Sequence, residues 1–458
     1  MMIALRRLHG LSRALGSSSS LRGCRAAQHV MYLSSSPEDS KTHARMLRHL
    51  VTKIKSTGPI SVAEYMREVL TNPVTGYYVN NDMLGPDGDF ITSPEISQVF
   101  GELLGVWCVS EWMGAGRPGS LQLVEFGPGR GSLMNDVLRV LGQLRSALGG
   151  TEVSVHLVEV SPRLSQVQAG LLTGERSRPA ASEDQAVYRH GTTPAGVPVS
   201  WYRQLDDVPR GFSLFLAHEF FDALPVHKFQ RTPRGWREVM VDVDPEDQLR
   251  YLSHPPPILC TIPDVHQWMV VFKVDERRDH VEVCPGGGVI VQQLANRIAE
   301  DGGAALIADY GHDGTKTDTF RGFKGHRLHP VLEAPGSADL TADVDFSYLR
   351  KMAARRGVAC LGPLPQRDFL RNMGVDTRMQ VLLSACQDDP PARAQLLHSY
   401  ELLTGPAHMG LRFHFLCLLP QSRLAPPPAT PRPPRGLKME DKRPAPLPVA
   451  GFSELSFS

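Results

Sequence analysis

The sequence has no Cys-x-x-Cys pair, no long apolar run and almost no net charge, and each absence removes a class of function. Its seven cysteines, at 24, 108, 260, 284, 360, 386 and 417, are scattered and odd in number. That pattern argues against a zinc cluster and a disulfide framework and for a reducing compartment. No stretch approaches the roughly 18 consecutive apolar residues of a membrane-spanning helix. With 49 Lys and Arg against 48 Asp and Glu, the net charge is +1, and no basic stripe marks a nucleic-acid footprint. Acids are missing altogether from one place: residues 1–37 contain neither Asp nor Glu, yet carry Arg6, Arg7, Arg13, Arg22 and Arg25 and a serine tract at 17–20. An Arg-rich, Ser-rich, acid-free start reads as a mitochondrial presequence, and its apolar strings are too short for a secretory signal.

What is present is an ordinary enzyme composition, 41% hydrophobic and 21% charged, in a chain of 458 residues that can bury one large core or two. Helices are expected at 41–56 and 61–70. A longer one is expected up to about 114, opened by Ser93 as N-cap, Pro94 in the first turn and Glu95 at the positive end. From 121 onward strand and helix patterns alternate: strands at 121–126, 154–160, 212–218 and 304–310, with helices after 132, after 161 and at 288–300. Such alternation predicts a mostly parallel sheet covered on both faces. Short strands at 226–229, 236–243 and 258–262 read as an inserted hairpin region. A helix is expected at 345–356 and a late strand at 411–419. The proline-rich text from 425 cannot pack and reads as a tail.

The stretch LVEFGPGRGSLMNDVLRV (123–140) joins a strand to a helix through Gly127, Gly129 and Gly131. Glycine lets the chain turn sharply and lets backbone N–H groups approach a ligand, and the helix start adds partial positive charge. A dinucleotide fingerprint would want its third glycine at position 132, but that position is serine. The spacing is instead E-x-G-x-G-x-G, with Glu125 two residues before the first glycine. A second acid, Glu159, ends the next strand, beside the loop and placed for both ribose hydroxyls of a nucleoside cofactor. Glu125 would orient the loop or offset positive charge.

Two further acids, Glu219 and Asp222, follow the strand at 212–218 in HEFFD. At the carboxyl edge of an open sheet they would face substrate. A guanidinium fits such a pair, because carboxylates clamp its fork and can accept its proton. The plain alternative is a helix start with acids at its positive end.

Five motifs in order, GDFITSPEISQVFGE (88–102), LVEFGPGRG (123–131), HEFFDALPVH (218–227), ADYGHDGT (308–315) and ADLTADVDF (338–346), resemble the MidA-type methyltransferases over about 45–420. The resemblance implies an α/β class I methyltransferase fold, Rossmann-like and seven-stranded, with an N-terminal helical extension and inserted strands. It implies S-adenosyl-L-methionine as cofactor and places Thr92 and Ser93 beside it, although helix capping explains them equally well. The nearest branch consists of mitochondrial protein-arginine methyltransferases that assist complex I assembly. It implies symmetric dimethylation of an arginine on the 49-kDa iron–sulfur arm core subunit, in the mitochondrial matrix.

The expected layout is a presequence at 1–37, a helical extension at 38–119 completing the catalytic domain, the cofactor-binding core with insertions at 120–420, and a disordered Pro-rich tail at 421–458. No metal is expected: His312, His326 and His329 lack ligand spacing. Asp339, Thr341 and Asp345 read as loop-ordering and capping residues. Monomer and homodimer stay open. Two rivals share these motifs: a small-molecule methyltransferase, and an assembly chaperone that keeps the cofactor as a stabilising ligand.

Overall fold

The computed structural model describes residues 37–80, 91–174, 176–181, 185–252, 276–355, 357–424 and 449–453. All but the last residue of the expected presequence, the strand expected at 258–262 and most of the proline-rich tail lie outside these residues.

Seven strands build the centre: β1 (Ser120–Phe126), β2 (Glu152–Val158), β3 (Pro198–Tyr202), β4 (Ser213–His218), β5 (Gly303–His312), β6 (Val358–Pro365) and β7 (Phe413–Pro420). Their order across the sheet is β3-β2-β1-β4-β5-β7-β6. Neighbours from β3 to β5 are parallel, and β7 runs antiparallel to both its partners. This is the seven-stranded class I arrangement that the resemblance implied. The whole sheet is mixed rather than mostly parallel. Val187–Thr192 and Ser177–Pro179 extend it antiparallel beyond β3, and Val344–Asp345 pairs with the end of β5. The apolar runs marked only the doubly buried centre, whereas the half-exposed edge strands carry no such run.

Alternation along each central strand feeds two cores. Leu121 and Leu123 of β1, Leu214 and Leu216 of β4, and Leu306 and Ala308 of β5 face one side, packed under α3 (Gln98–Gly114) and α4 (Ser132–Gln143). Val124, Phe126, Phe215, Ala217, Ala305 and Ile307 face the other, against α6 (Pro285–Asp301) and α7 (Phe346–Ala353). With α5 (Pro162–Thr173) after β2, these helices complete a doubly wound unit. Strand order reverses between β1 and β4, and ligands bind at such a switch point, outside the carboxyl ends of the strands.

The N-terminal helices do not lie on this sheet. α1 (Pro37–Thr57) and α2 (Val62–Thr71) close a third core, in which Met46, Leu50, Tyr65 and Met66 pack with Val226, Val241, Phe320 and Leu340 of the insertions. Ile60–Ser61 pairs antiparallel with Met240–Val243. The hairpin region is therefore tied to the extension. The strands observed there are His227–Thr232, Gly235–Glu238, Met240–Val243 and Leu249–Leu252.

Two expectations change. The helix opened by TSPE is broken. Thr92, not Ser93, is its N-cap, forming a capping box with Glu95 over the single turn Ser93–Ile96. Ser97 then leaves helical geometry at φ −155° and its hydroxyl caps α3, accepting from Val99 N at 3.3 Å. The segment 421–458 also does not lie wholly outside the fold. Gln421–Leu424 forms a 3₁₀ turn, and Val449 and Ala450 are buried in the first core, with Phe452 edge-on to Phe369 at 5.6 Å.

Candidate active site

A cavity of about 460 Å³ opens where β1, β2 and β4 end, within the roughly 300–1,000 Å³ usual for small-molecule sites. Its floor is the glycine joint. Gly127, Gly129 and Gly131 have φ of +54°, +56° and +87°, the left-handed region that side chains resist. A Cβ at Gly127 would stand 3.0 Å from Phe220 Cδ2. The Gly127 N–H donates to Val158 O at 3.0 Å and ties the joint to the end of β2. Gly127 and Gly129 line the cavity, while Gly131 is the N-cap of α4 behind them.

Glu125 and Glu159 both line this floor and both are buried. Glu125 Oε2 has no hydrogen-bond partner in the protein. Burial, helped by the nearby Glu159 charge, pushes its carboxyl well above the usual range. Glu159 is engaged at both oxygens: Oε1 accepts from Ser161 N at 2.7 Å and Oε2 from Gln168 Nε2 at 2.9 Å. Burial pushes it up to about 7, against those two hydrogen bonds. Gln168 also donates to Gly129 O at 2.8 Å, and its own oxygen accepts from Trp201 Nε1 at 2.9 Å. One buried amide thus joins the glycine joint, the acid at the end of β2 and a tryptophan of β3.

The opposite wall carries Glu219 and Asp222. The plain alternative for this pair fails, because the chain after β4 makes turns through 219–226 and enters no helix. The turn is held by another acid. Asp309 Oδ2 accepts the backbone N–H groups of Phe220, Phe221 and Asp222 at 3.2, 3.0 and 3.3 Å. Glu219 and Asp222 are thereby not needed to hold this turn, and both line the cavity. Glu219 sits at φ +48°, a strained value for a non-glycine residue. Its N–H donates to Ala308 O at 3.0 Å and its Oε1 accepts from Ser93 N at 3.4 Å. Asp222 Oδ2 accepts from the Tyr310 hydroxyl, and Oδ1 has no partner in the protein. Burial raises Asp222 to about 6, opposed by that hydrogen bond and by Arg321. Burial, then the Asp222 charge, drives Glu219 well above the usual range.

Thr92 lines the cavity, whereas Ser93 is buried behind it, with its hydroxyl 3.8 Å from Met409 Sδ and only its N–H directed at Glu219. His312 and His329 are spent locally: His312 Nδ1 accepts from Thr315 N at 3.1 Å, and His329 Nε2 bonds Glu333 O at 3.0 Å. Asp345 caps α7 as expected, accepting from Tyr348 N at 3.2 Å. Asp339 instead lines the cavity.

Seven acids line the cavity (Glu95, Glu125, Glu159, Asp206, Glu219, Asp222 and Asp339) against two cations, Arg130 and Arg203. That excess suits positively charged ligands. The residues fit a sulfonium nucleoside: an unpartnered buried carboxylate at Glu125, a glycine cradle closed to side chains, and an oriented acid at Glu159. Reading the sequence missed Gln168, Asp309, Tyr78 and Tyr310 as parts of this site. The signal for Asp309 and Tyr310 was present in ADYGHDGT (308–315), whereas Tyr78 and a lone Gln on a helix carry none.

Residues 103–364 match the family described as S-adenosyl-L-methionine-dependent methyltransferase. A Danio rerio protein named "Protein arginine methyltransferase NDUFAF7, mitochondrial" is 60% identical over 438 residues, 95% of this chain and 98% of its own length. The Homo sapiens protein of the same name is 57% identical over 433 residues, covering 93% and 94%. Among solved structures, a Burkholderia thailandensis protein bound to S-adenosyl-homocysteine has the same fold, with a TM-score of 0.69 at 23% identity over 85% of this chain and 95% of that one.

Proposed function

The chain belongs to the S-adenosyl-L-methionine-dependent methyltransferase family, and on that premise we propose that it methylates arginine side chains of a mitochondrial protein. The observation that carries this reading is the acidic wall facing the glycine joint, where Asp222 Oδ1 is buried without a partner and Glu219 is held in strained backbone. A guanidinium brings five N–H donors and a charge that does not titrate at neutral pH, which is what such a wall needs.

The bound cofactor supplies an electrophilic methyl group. Glu159 would hold its ribose, Glu125 would offset its positive end, and Thr92 would close over it. Glu219 and Asp222 orient the guanidinium so that one nitrogen faces the methyl group, and one of them takes the proton released as the nitrogen is alkylated. The Tyr310 hydroxyl fixes Asp222 in that posture. Asp309 fixes the turn carrying both acids. Acceleration comes from alignment and from carboxylates already placed where charge moves.

The finer reading rests on the MidA-type resemblance and the names of the relatives. The product is symmetric dimethylarginine, the target is the 49-kDa core subunit of complex I, and modification supports assembly of that complex. The acid-free, Arg-rich start at 1–37 directs the chain to the matrix. The test is incubation of purified protein and labelled donor with complex I core subunits, followed by intact-mass analysis and hydrolysis. Two methyl groups on one arginine of the 49-kDa subunit are expected. Label confined to free metabolites would turn the reading to a small-molecule enzyme. Rescue of complex I assembly by a folded, transfer-dead variant would turn it to a chaperone. Deleting 1–37 should abolish import and leave donor binding intact, and matrix accumulation of the shortened chain would refute the presequence.

A further inference from the structure

We propose that His218 is a positioning residue of the guanidinium site: its Nε2 takes the proton of Glu219 when the arginine head enters, so that Glu219 meets the cation as a carboxylate; this rests on the arginine reading above. His218 ends β4 and lines the cavity beside Glu219. It is 9% exposed, and its Nε2 has no hydrogen-bond partner in the protein. A buried ring nitrogen left without a partner costs stability, so its place calls for a reason. Packing does not supply one. Phe100 of α3 lies edge-on to the imidazole at 4.9 Å and Phe413 of β7 stacks on it at 6.5 Å. An apolar ring would serve those contacts without the orphaned nitrogen. That nitrogen stands 3.4 Å from Glu219 Oε1, which also accepts from Ser93 N at 3.4 Å.

Both groups are neutral in the ligand-free protein at neutral pH. Burial alone pushes His218 down to about 3, and α3 and β7 turn aromatic rings, not charges, toward it. Burial, then the Asp222 charge, pushes Glu219 well above the usual carboxylate range, and Glu95 and Asp339 add to the effect. A protonated Glu219 turns a donor toward a ligand that carries only donors. Entry of the cation reverses the balance. It favours the carboxylate, and an ionised Glu219 at 3.4 Å favours the imidazolium in turn. The Oε1–H bond breaks as the Nε2–H bond forms, and the proton stays inside the protein. The imidazolium adds one positive charge to a cavity lined by seven acids and two arginines. His218 thus spares the substrate from waiting until Glu219 loses its proton to solvent.

The experiment titrates an adenosine–alkylguanidine conjugate and its neutral urea counterpart calorimetrically into full-length protein, in buffers of different ionisation heat, to count protons released. His218→Gln keeps the reach of the side chain and cannot hold the proton. It should release about one proton more than wild type on binding the guanidine compound, and no more on binding the urea compound. Equal counts overturn the proposal. Single-turnover transfer from S-adenosyl-L-methionine to the 49-kDa subunit at pH 7 should fall about tenfold or more in His218→Gln and recover as pH rises, because solvent base then strips Glu219. In a Glu219→Gln background the same substitution should change transfer by less than about twofold. A packing role would cost the same in both backgrounds and at every pH. Should His218→Gln fail to bind S-adenosylhomocysteine, wild type decides by itself. Its ¹⁵N histidine spectrum should show one imidazole becoming imidazolium with the guanidine compound and not with the urea compound. An unchanged spectrum overturns the proposal. A wild type that binds both compounds equally and transfers nothing overturns the arginine reading instead.

Discussion

The side-chain amide of Gln168 donates to the carbonyl of Gly129 at 2.8 Å, so a helix that follows β2 holds the middle of the glycine joint that follows β1. The same nitrogen reaches Glu159 at 2.9 Å. The glycine joint and Glu159 are thus set by one group. Replacing it with leucine keeps the volume and strands the Gly129 carbonyl, a Glu159 oxygen and the Trp201 N–H. Gln168→Leu should weaken S-adenosyl-L-methionine binding by about tenfold or more and cost about 1–3 kcal/mol of stability. Calorimetry beside a thermal melt decides: a lowered melt with unchanged affinity would make the amide a strut only.

Gly129→Val places a β-branched residue at φ +56° on the cavity floor. Strain of about 1–3 kcal/mol and the lost approach of the backbone should together remove measurable donor binding from a chain that still folds. Wild-type affinity in this variant would detach the joint from the cofactor.

Glu219→Gln and Asp222→Asn keep shape and remove charge on the wall opposite Glu159. Donor binding should survive in each. Single-turnover methyl transfer to an arginine substrate should fall by roughly 10²- to 10⁴-fold, the usual contribution of a positioned proton acceptor. Near-normal transfer in both variants would leave the wall without a chemical role.

Burial raises Glu159 to about 7 and Asp222 to about 6. A carboxyl raised on folding contributes stability that is full below its unfolded value and is lost as pH climbs through the folded one. The ligand-free protein should therefore melt at falling temperature as pH rises from about 5 to about 8. A Glu159→Gln, Asp222→Asn double variant should show a shallower fall. The cationic donor favours the charged acids, so its affinity for wild type should rise across the same window. Identical slopes in variant and wild type would assign the titration elsewhere.

Ending the chain after residue 448 removes Val449 and Ala450 from the first core, Phe452 from the face of Phe369, and the Gly451 carbonyl that accepts from Asn372 Nδ2 at 2.9 Å. A loss of about 2–4 kcal/mol follows from the apolar area and the hydrogen bond. The melt should drop by several degrees with donor affinity kept at low temperature. No shift would mean that the returning segment adds nothing to the core.

The sheet was legible because its central strands are buried on both faces and so read as apolar runs, as FSLFLAH does. The joint was legible because only glycine serves at three positive φ values in a row of five residues. Ser93 misled because TSPE satisfies two registers of N-cap, and only the extended backbone at Thr92, with ψ 160°, chooses between them. Asp339 was read as a loop residue for want of any local sign. Its place in the cavity wall is held by Tyr78, 261 positions away, and pairing across that distance leaves no pattern in a single sequence. Gln168 is silent for the same reason, since each of its partners lies on another element.

The burial of Val449 and Ala450 has a consequence for the order of events in making this protein. A ribosome, or a membrane pore that threads the chain from its first residue, delivers every wall of the cavity from Thr71 to Asp339 more than a hundred residues before the core can be closed. Through that interval the nascent chain exposes the methyl donor's cradle while its own last seal is still unmade. Donor bound at that stage stabilises the compact form by mass action.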